Sequence, residues 1–318
     1  AGQDFKSSGR YPIVSQEEAF ISGYWDNPDD VFHIDGPVVI FGDHSRHVKY
    51  VDFDFVIGAD GVKILAPVDD INAKFFYYYL KSQRIQSLGY SRHYKVLKEK
   101  MVPVPSLADQ QRIVAELDLL SSIVEKKNAQ LKTLDDLAQS IFYEMFGDVE
   151  EKTPLSTYVT ELSGGKSLAG DEENQYKVLK TGAVTFDYFR GDDVKNLPLD
   201  YIPREEDRVK KGDLLISRMN TAELVGAVAY VWDVKPNIYL PDRLWRASLT
   251  EAANPIFIWK ALIQFDAKQQ IRSLASGTSG TMKNISKPKL LSITIPKTSR
   301  EKQDSFAQRL RAIQRQRN

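Results

Sequence analysis

Apolar residues fall at Ile113, Leu117, Leu120, Val124, Leu131, Leu134, Ala138, Ile141 and Met145, in steps of four and three, with Lys127 at the one polar position of the series. This 3.5-residue period, held over about four heptads, predicts a long helix with a coiled-coil seam, in which Lys127 sets register or snorkels to water. The helix begins after "VPVP", where Pro103 and Pro105 favour extended backbone, and Ser106 with Asp109 resembles a capping box. It ends at "FGD", with Gly147 as a natural residue for the left-handed helix stop. A second start of the same kind stands near the C-terminus. "ITIPKTSREKQDSFAQRL" closes a β-type run with a proline, Thr298 and Glu301 form a capping box, and Phe306, Leu310 and Ile313 repeat the four-then-three step.

The segments ahead of the two helices also match in order. "IQSLGYSRHYK" and "IRSLASGTSGTMK" both contain Gly-x-Ser-x-x-x-Lys, at Gly89, Ser91, Lys95 and at Gly277, Ser279, Lys283. Further upstream, "IDGPVVIFGDHSR" and "KKGDLLISRMNT" each read as a turn, a short apolar strand and a polar loop with an arginine. Strands are expected at 38–41, 51–57, 177–180, 214–217 and 226–232, and shorter helices at 72–87 and 255–273. Two long repeats predict a duplicated domain of mixed α/β type; many short ones would predict a solenoid. The expected divisions are a first domain over 1–105, a spacer helix over 106–147, a second domain over 148–298 and the start of a second spacer helix over 299–318.

Composition narrows the chemistry. The 318 residues are 42% hydrophobic and 27% charged, as in soluble globular proteins, and no apolar run approaches the ~18 residues of a membrane span. Cysteine is absent, which excludes disulfides, thiolate chemistry and Cys-ligated zinc, and fits a reducing cytoplasm. Net charge is zero, so nucleic-acid binding would rest on local basic surfaces. "ANPIF" is a near miss for an adenine-methyltransferase motif and reads better as a helix start, with Asn254 as N-cap and Pro255 at the first turn. Asp52, Asp54, Asp60 and Lys63 lack nuclease spacing, His44 and His47 lack a carboxylate partner for a metal, and no phosphate-binding loop of the Gly-x-x-x-x-Gly-Lys-Ser/Thr form is present. No cofactor is expected.

The whole pattern resembles the specificity subunits of type I restriction-modification systems, most closely in "VPVPSLADQQRIVAELD" and "IFYEMFGD". The resemblance implies an α+β fold: two mixed α/β target-recognition domains joined by long antiparallel coiled-coil helices, as a pseudo-two-fold duplication. It implies a non-catalytic subunit that reads a split target on double-stranded DNA, holds two copies of an adenine methyltransferase subunit and works with a translocating restriction subunit. Base and phosphate contacts need Arg, Lys, Asn, Gln and hydroxyls on loops. In the first half these are His44, Arg46, His47, Lys49, Tyr90, Ser91, Arg92 and Lys95. In the second they are Arg218, Asn220, Thr221, Ser276, Thr278, Ser279 and Lys283. Against the family pattern, the first domain reads as lacking its opening strand and the second helix as lacking its far half. A coiled-coil adaptor that never reads DNA, and the specificity portion of a single-chain restriction-methylation enzyme, stand as alternatives.

Overall fold

The computed structural model of the protein describes residues 5–87, 89, 91–279 and 282–317, without the side chains of Thr278 and Ser279. The chain forms two compact units, Ala1–Ala129 and Gln130–Asn318. The first runs β1 (Tyr11–Val14), β2 (Gly23–Trp25), β3 (Val31–Phe32), β4 (Val38–Gly42), β5 (Val48–Val51), β6 (Phe55–Ile57), β7 (Val62–Leu65), α1 (Ala73–Ser82), α2 (Tyr94–Leu97) and the opening of α3 (Leu107–Phe146). The second holds the rest of α3, then β8 (Lys152–Pro154), β9 (Val159–Ser163), β10 (Lys177–Leu179), β11 (Val194–Asn196), β12 (Leu214–Ser217), β13 (Met219–Asn220), β14 (Val228–Tyr230), β15 (Ile238–Tyr239) and β16 (Leu244–Leu249). It closes with α4 (Pro255–Leu262), α5 (Phe265–Leu274), β17 (Ser276–Ser279), β18 (Met282–Asn284), α6 (Lys287–Leu291), β19 (Thr294–Pro296) and α7 (Arg300–Arg317).

In the first unit β4 lies between β5 and β7, antiparallel to both, and is buried along its whole length. Val38 and Ile40 face Val14 and Phe55, while Val39 and Phe41 face Leu80 of α1 and Leu97 of α2. A strand covered on both faces needs no alternation, which is why "VVIF" is apolar throughout. A second sheet has β1 antiparallel to β2 and parallel to β6.

The second unit repeats this topology. There β12 lies between β14 and β16, and β10 pairs antiparallel with β11 and parallel with β15. The ladder hydrogen bonds fix the register of the repeat. Asp43 N–H donates to Gly61 O at 2.8 Å, and Arg218 N–H to Arg243 O at 3.1 Å, so Asp43 corresponds to Arg218. Tyr50 packs against Tyr77 of α1, as Tyr230 stacks on Trp259 of α4. The additions in the second unit are β9 beyond β16, the small β8–β19 ladder, and the sheet β13–β18–β17.

One buried amide explains the glutamine shared by the two helix starts. Gln110 is fully buried near the start of α3. Its Oε1 accepts the N–H of Asn72, the N-cap of α1, at 2.7 Å, and its Nε2 donates to Asp70 O at 2.8 Å and Pro105 O at 2.9 Å. Gln303, also fully buried, repeats all three bonds on α7: it accepts from Asn254 N–H at 2.8 Å and donates to Ala252 O at 3.1 Å and Thr298 O at 3.2 Å. Each glutamine ties the N-cap of the sheet-covering helix to the chain entering the long helix, using one acceptor and both donors.

The structure corrects several expectations. The strand expected over 51–57 breaks at Asp52–Asp54, because Asp54 turns to accept Ile34 N–H and pair with His33. The helix expected over 72–87 stops at Ser82, and the one over 255–273 is two helices, α4 and α5. Along α3 the seam is also uneven. Leu134 and Ala138 are buried, Ile113, Leu117, Leu131, Ile141 and Met145 are half-buried, and Leu120, Val124 and Lys127 are exposed. In the second unit the buried line instead continues through Phe142 and Phe146, whose rings pack on Phe306 of α7 at 5.6 and 5.3 Å. A helix lying on a globular core drifts toward the 3.6 period, and Phe142 and Phe146 follow that drift. Within this unit α3 and α7 run antiparallel, since Glu144 pairs with Arg309 and Asp135 with Arg317.

Candidate nucleic-acid interface

The proposed reading loops of the first unit meet at the corner after β4. The buried Asp43 accepts His93 N–H on its carbonyl at 2.8 Å and Tyr94 N–H on its carboxylate at 2.8 Å. Arg46 sits in left-handed backbone (φ 66°) and its guanidinium donates to Ile85 O at 3.0 Å. The β4–β5 turn and the segment entering α2 are thereby locked together. Arg46, His47, Arg92 and Lys95 are exposed there, and His44 and Ser91 are half-buried. Tyr90 lies outside the described residues. Arg84, exposed beside the carbonyl that Arg46 grips, joins this group, although sequence reasoning passed over it because it lies in the expected helix 72–87.

Lys49 does not belong to this surface. It is 5% exposed, and its ammonium donates to Ser15 O at 2.8 Å and Ala19 O at 2.5 Å. Burial lowers its pKa, partly offset by Glu17. The sequence reads as a polar loop here, but Lys49 lies on β5, which is covered on that face by the β1–β2 loop that Lys49 holds. The second unit holds its corresponding loop with the opposite charge. Asp187, in left-handed backbone (φ 62°), accepts Val228 N–H of β14 at 2.9 Å and the Lys268 ammonium at 2.6 Å.

The corner after β12 is built the same way. Arg218 O accepts Ile285 N–H at 3.0 Å, tying it to the segment entering α6. Here the chain inserts β13, which pairs with β18 and places Asn220 opposite Lys283, with Ser276 opposite Asn284 on β17. The Arg218 guanidinium lies over the Trp245 ring at 5.8 Å. Asn220 is half-buried; its side chain accepts Thr221 N–H at 2.9 Å and donates to Thr185 Oγ1 at 3.4 Å. Lys283 gives one donor to Gly277 O at 2.8 Å. The backbone of Thr278 and Ser279 lies in β17, and their side chains are outside the described set. Arg243, exposed next to Arg218, is a further candidate that no spacing pointed to.

The matching Gly-Ser-Lys spacing is not a structural match. Lys95 is on α2, whereas Lys283 is on β18, ahead of α6. Measured back from the two buried glutamines, α2 corresponds to α6, and the β17–β18 hairpin is an insertion that brings a second Gly-x-Ser into view. Among the described residues no three His, Asp or Glu side chains converge as a metal site. Asn254 is 2% exposed and caps Ile256 N–H, so its amide is committed to the fold.

Comparison with known proteins agrees with this architecture. Residues 2–133 match the family model of the type I restriction modification DNA specificity domain. The match covers the first unit and the opening of α3. The EcoKI specificity subunit of Escherichia coli is 24% identical over 266 residues, 74% of this chain and 57% of that protein. The EcoR124I/EcoR124II specificity subunit, also from Escherichia coli, is 27% identical over 142 residues, 41% of this chain and 35% of that protein. The chain spans about half the length of the curated relatives it matches. The crystal structure of the type I restriction-modification S subunit from M. genitalium shares its fold, with a TM-score of 0.58 at 16% identity over 98% of this chain and 88% of that one. Among the described residues no helix is long and apolar enough to cross a membrane.

Proposed function

We propose that this chain reads a two-part sequence on double-stranded DNA, one part with each unit, as the non-catalytic component of a type I restriction-modification complex. The observation that carries the reading is the repeated corner. In both units the residue after the central strand gives its carbonyl to the segment entering the small helix, with exposed Arg46, Arg92 and Lys95 beside the first corner, and half-buried Arg218 and Lys283 with exposed Arg243 beside the second. Arg and Lys at a rigid corner suit guanine edges and phosphates, and Asn220 suits adenine. The α3 helix, with 40 residues, rises about 60 Å at 1.5 Å per residue, so it suits a ruler between two half-sites. The partners are two copies of an adenine methyltransferase subunit and a translocating restriction subunit. The proposed divisions are reading domains over 1–105 and 148–298 and spacer helices over 106–147 and 299–318.

The test is adenine-methylation mapping after co-expression with the neighbouring methyltransferase gene in a host without its own methylation. A motif with two defined parts around a fixed gap is the expected result. A complex that forms but methylates nothing makes the chain a coiled-coil adaptor and refutes the reading.

A further inference from the structure

The two units differ at one matched position on the helix that covers the central sheet. Counted from the N-caps Asn72 and Asn254, Tyr78 of α1 stands where Lys260 of α4 stands. In the first unit the Tyr78 hydroxyl donates to Asp118 at 2.6 Å, and Lys74 pairs with the same carboxylate at 2.8 Å. Counted from the two buried glutamines, Asp118 of α3 corresponds to Arg311 of α7. The second unit therefore keeps a donor at this place and has no carboxylate at the position of the acceptor.

Lys260 is 8% exposed, and among the described residues its ammonium has no hydrogen-bond or ion-pair partner. The Trp259 ring lies 4.4 Å from it. A buried ammonium with three donors and no acceptor is costly to the fold. Two carboxylates line the same cavity, but each has another cation: Asp135 pairs with Arg317, and Asp187 with Lys268 at 2.6 Å. One positive charge, that of Lys260, is left uncompensated.

The cavity, about 610 Å³, lies within the second unit, between α4, the loop 186–189 and the facing sides of α3 and α7. That is the size of a small-molecule site. Phe186, Tyr188 and Trp232 supply aromatic surface, and Leu131 and Ile313 aliphatic surface. Phe186 stacks on Tyr188, with ring centroids 6.3 Å apart, and both stay exposed, at 58% and 50%. Exposed rings beside a buried, unpartnered cation suit a molecule that is flat and apolar at one end and anionic at the other. A dianion would exceed the single uncompensated charge, and a cation would meet Lys260 directly.

We infer that this cavity binds a small aromatic monocarboxylate, whose carboxylate accepts from the Lys260 ammonium, as Asp118 accepts from Tyr78, and whose ring lies among Phe186, Tyr188 and Trp232. Nothing in this rests on DNA reading, so either can fail alone.

The probes are β-naphthoate and its neutral isostere β-naphthamide, titrated into the full chain and followed by equilibrium dialysis and by quenching of tryptophan fluorescence. Naphthoate is expected to bind about tenfold or more tighter than the amide, since a charge-assisted hydrogen bond to a buried ammonium carries that difference. Lys260→Met keeps the length of the side chain and removes the charge, so it should abolish the preference for naphthoate and leave the affinity for the amide unchanged. Phe186→Ala should weaken both probes, by about threefold or more. Equal affinity of the wild-type chain for the two probes, no saturable binding of naphthoate at millimolar concentration, or a preference that survives Lys260→Met each overturns the inference. The comparison of the two probes on the wild-type chain needs no variant, so it decides even if Lys260→Met unfolds.

Discussion

Replacing Gln303 with Leu removes three hydrogen bonds at once in a site that water does not reach. Leucine fills most of the volume, so the loss is mainly polar. The Asn254 N–H and the carbonyls of Ala252 and Thr298 lose their partner. A buried unsatisfied group costs about 1–3 kcal/mol, and carbonyls with a second lone pair engaged cost less, so the sum is about 2–4 kcal/mol. Gln303→Glu separates charge from shape. One carboxylate oxygen still accepts from Asn254, but the other faces two carbonyls with no proton to offer. Protonating that carboxyl restores one donor, so its pKa rises in the folded state and the variant is least stable at neutral pH, recovering as pH falls through the raised value. Two units make a single unfolding free energy ill-defined. The assay is therefore amide exchange in α4 (Pro255–Leu262) at pH 5 and 7, with Gln110→Glu and α1 (Ala73–Ser82) as the matched pair. Loss of less than about 0.5 kcal/mol in either helix, or a Glu variant without pH dependence, refutes the account of the glutamine as a two-way tie.

Three other outcomes are expected. Burial lowers the Lys260 pKa from 10.5 to about 8, with Asp135 and Asp187 opposing and Arg317 adding to the effect. Its folded pKa lies below the unfolded one, so the penalty, about 3 kcal/mol, is full below pH 8 and is relieved as pH rises toward 10.5. Lys260→Met loses the cation–π contact with Trp259 at 4.4 Å, worth about 1–2 kcal/mol, so at pH 7 the second unit should be about 1–2 kcal/mol more stable, measured from that unit's own thermal transition, with the gain shrinking between pH 8 and 10.5. Lys49→Met should destabilise the first unit by about 1–3 kcal/mol, read as faster exchange in β1, while the salt dependence of DNA binding stays unchanged. Under the proposed function, Arg46→Ala or Arg92→Ala should weaken one half-site only, and Arg218→Ala or Lys283→Ala the other only, by about 1–3 kcal/mol in competition binding; an equal loss on every sequence makes them phosphate anchors.

Much of this was legible in the sequence because it rests on local chemistry. Capping residues, the prolines of "VPVP" and the apolar period fix where α3 begins and ends to within a residue. The central strands were legible because burial on both faces leaves unbroken apolar runs. The failures were tertiary. Lys49 and Lys283 both read as loop lysines, and only the loop folded over β5 makes the first an internal tie. Phe142 and Phe146 lie one residue off the heptad seam, and only the core of the second unit selects them over Ile141 and Met145. The shared Gly-Ser-Lys spacing misled because the β17–β18 hairpin is inserted, and an insertion that preserves residue types is invisible without ladder register.

Under the proposed function, that register also explains how one fold can serve two different readings. The scaffold positions keep their chemistry: Gln110 and Gln303 make the same three bonds, and Asn72 and Asn254 both cap helices. The corner positions do not. Asp43 is buried and uses its carboxylate on Tyr94 N–H, so the first corner is closed at that residue and its cationic side chain comes from further along the turn, at Arg46. Its counterpart Arg218 is half-buried and stacked on Trp245, and the inserted β13 carries Asn220 beside Lys283. A closed acidic corner with cations on an exposed turn, and an open basic corner backed by a small sheet, cannot present the same donors at the same heights. Under the proposed function the two units should therefore not read the same bases, and the split target is expected to have unlike halves.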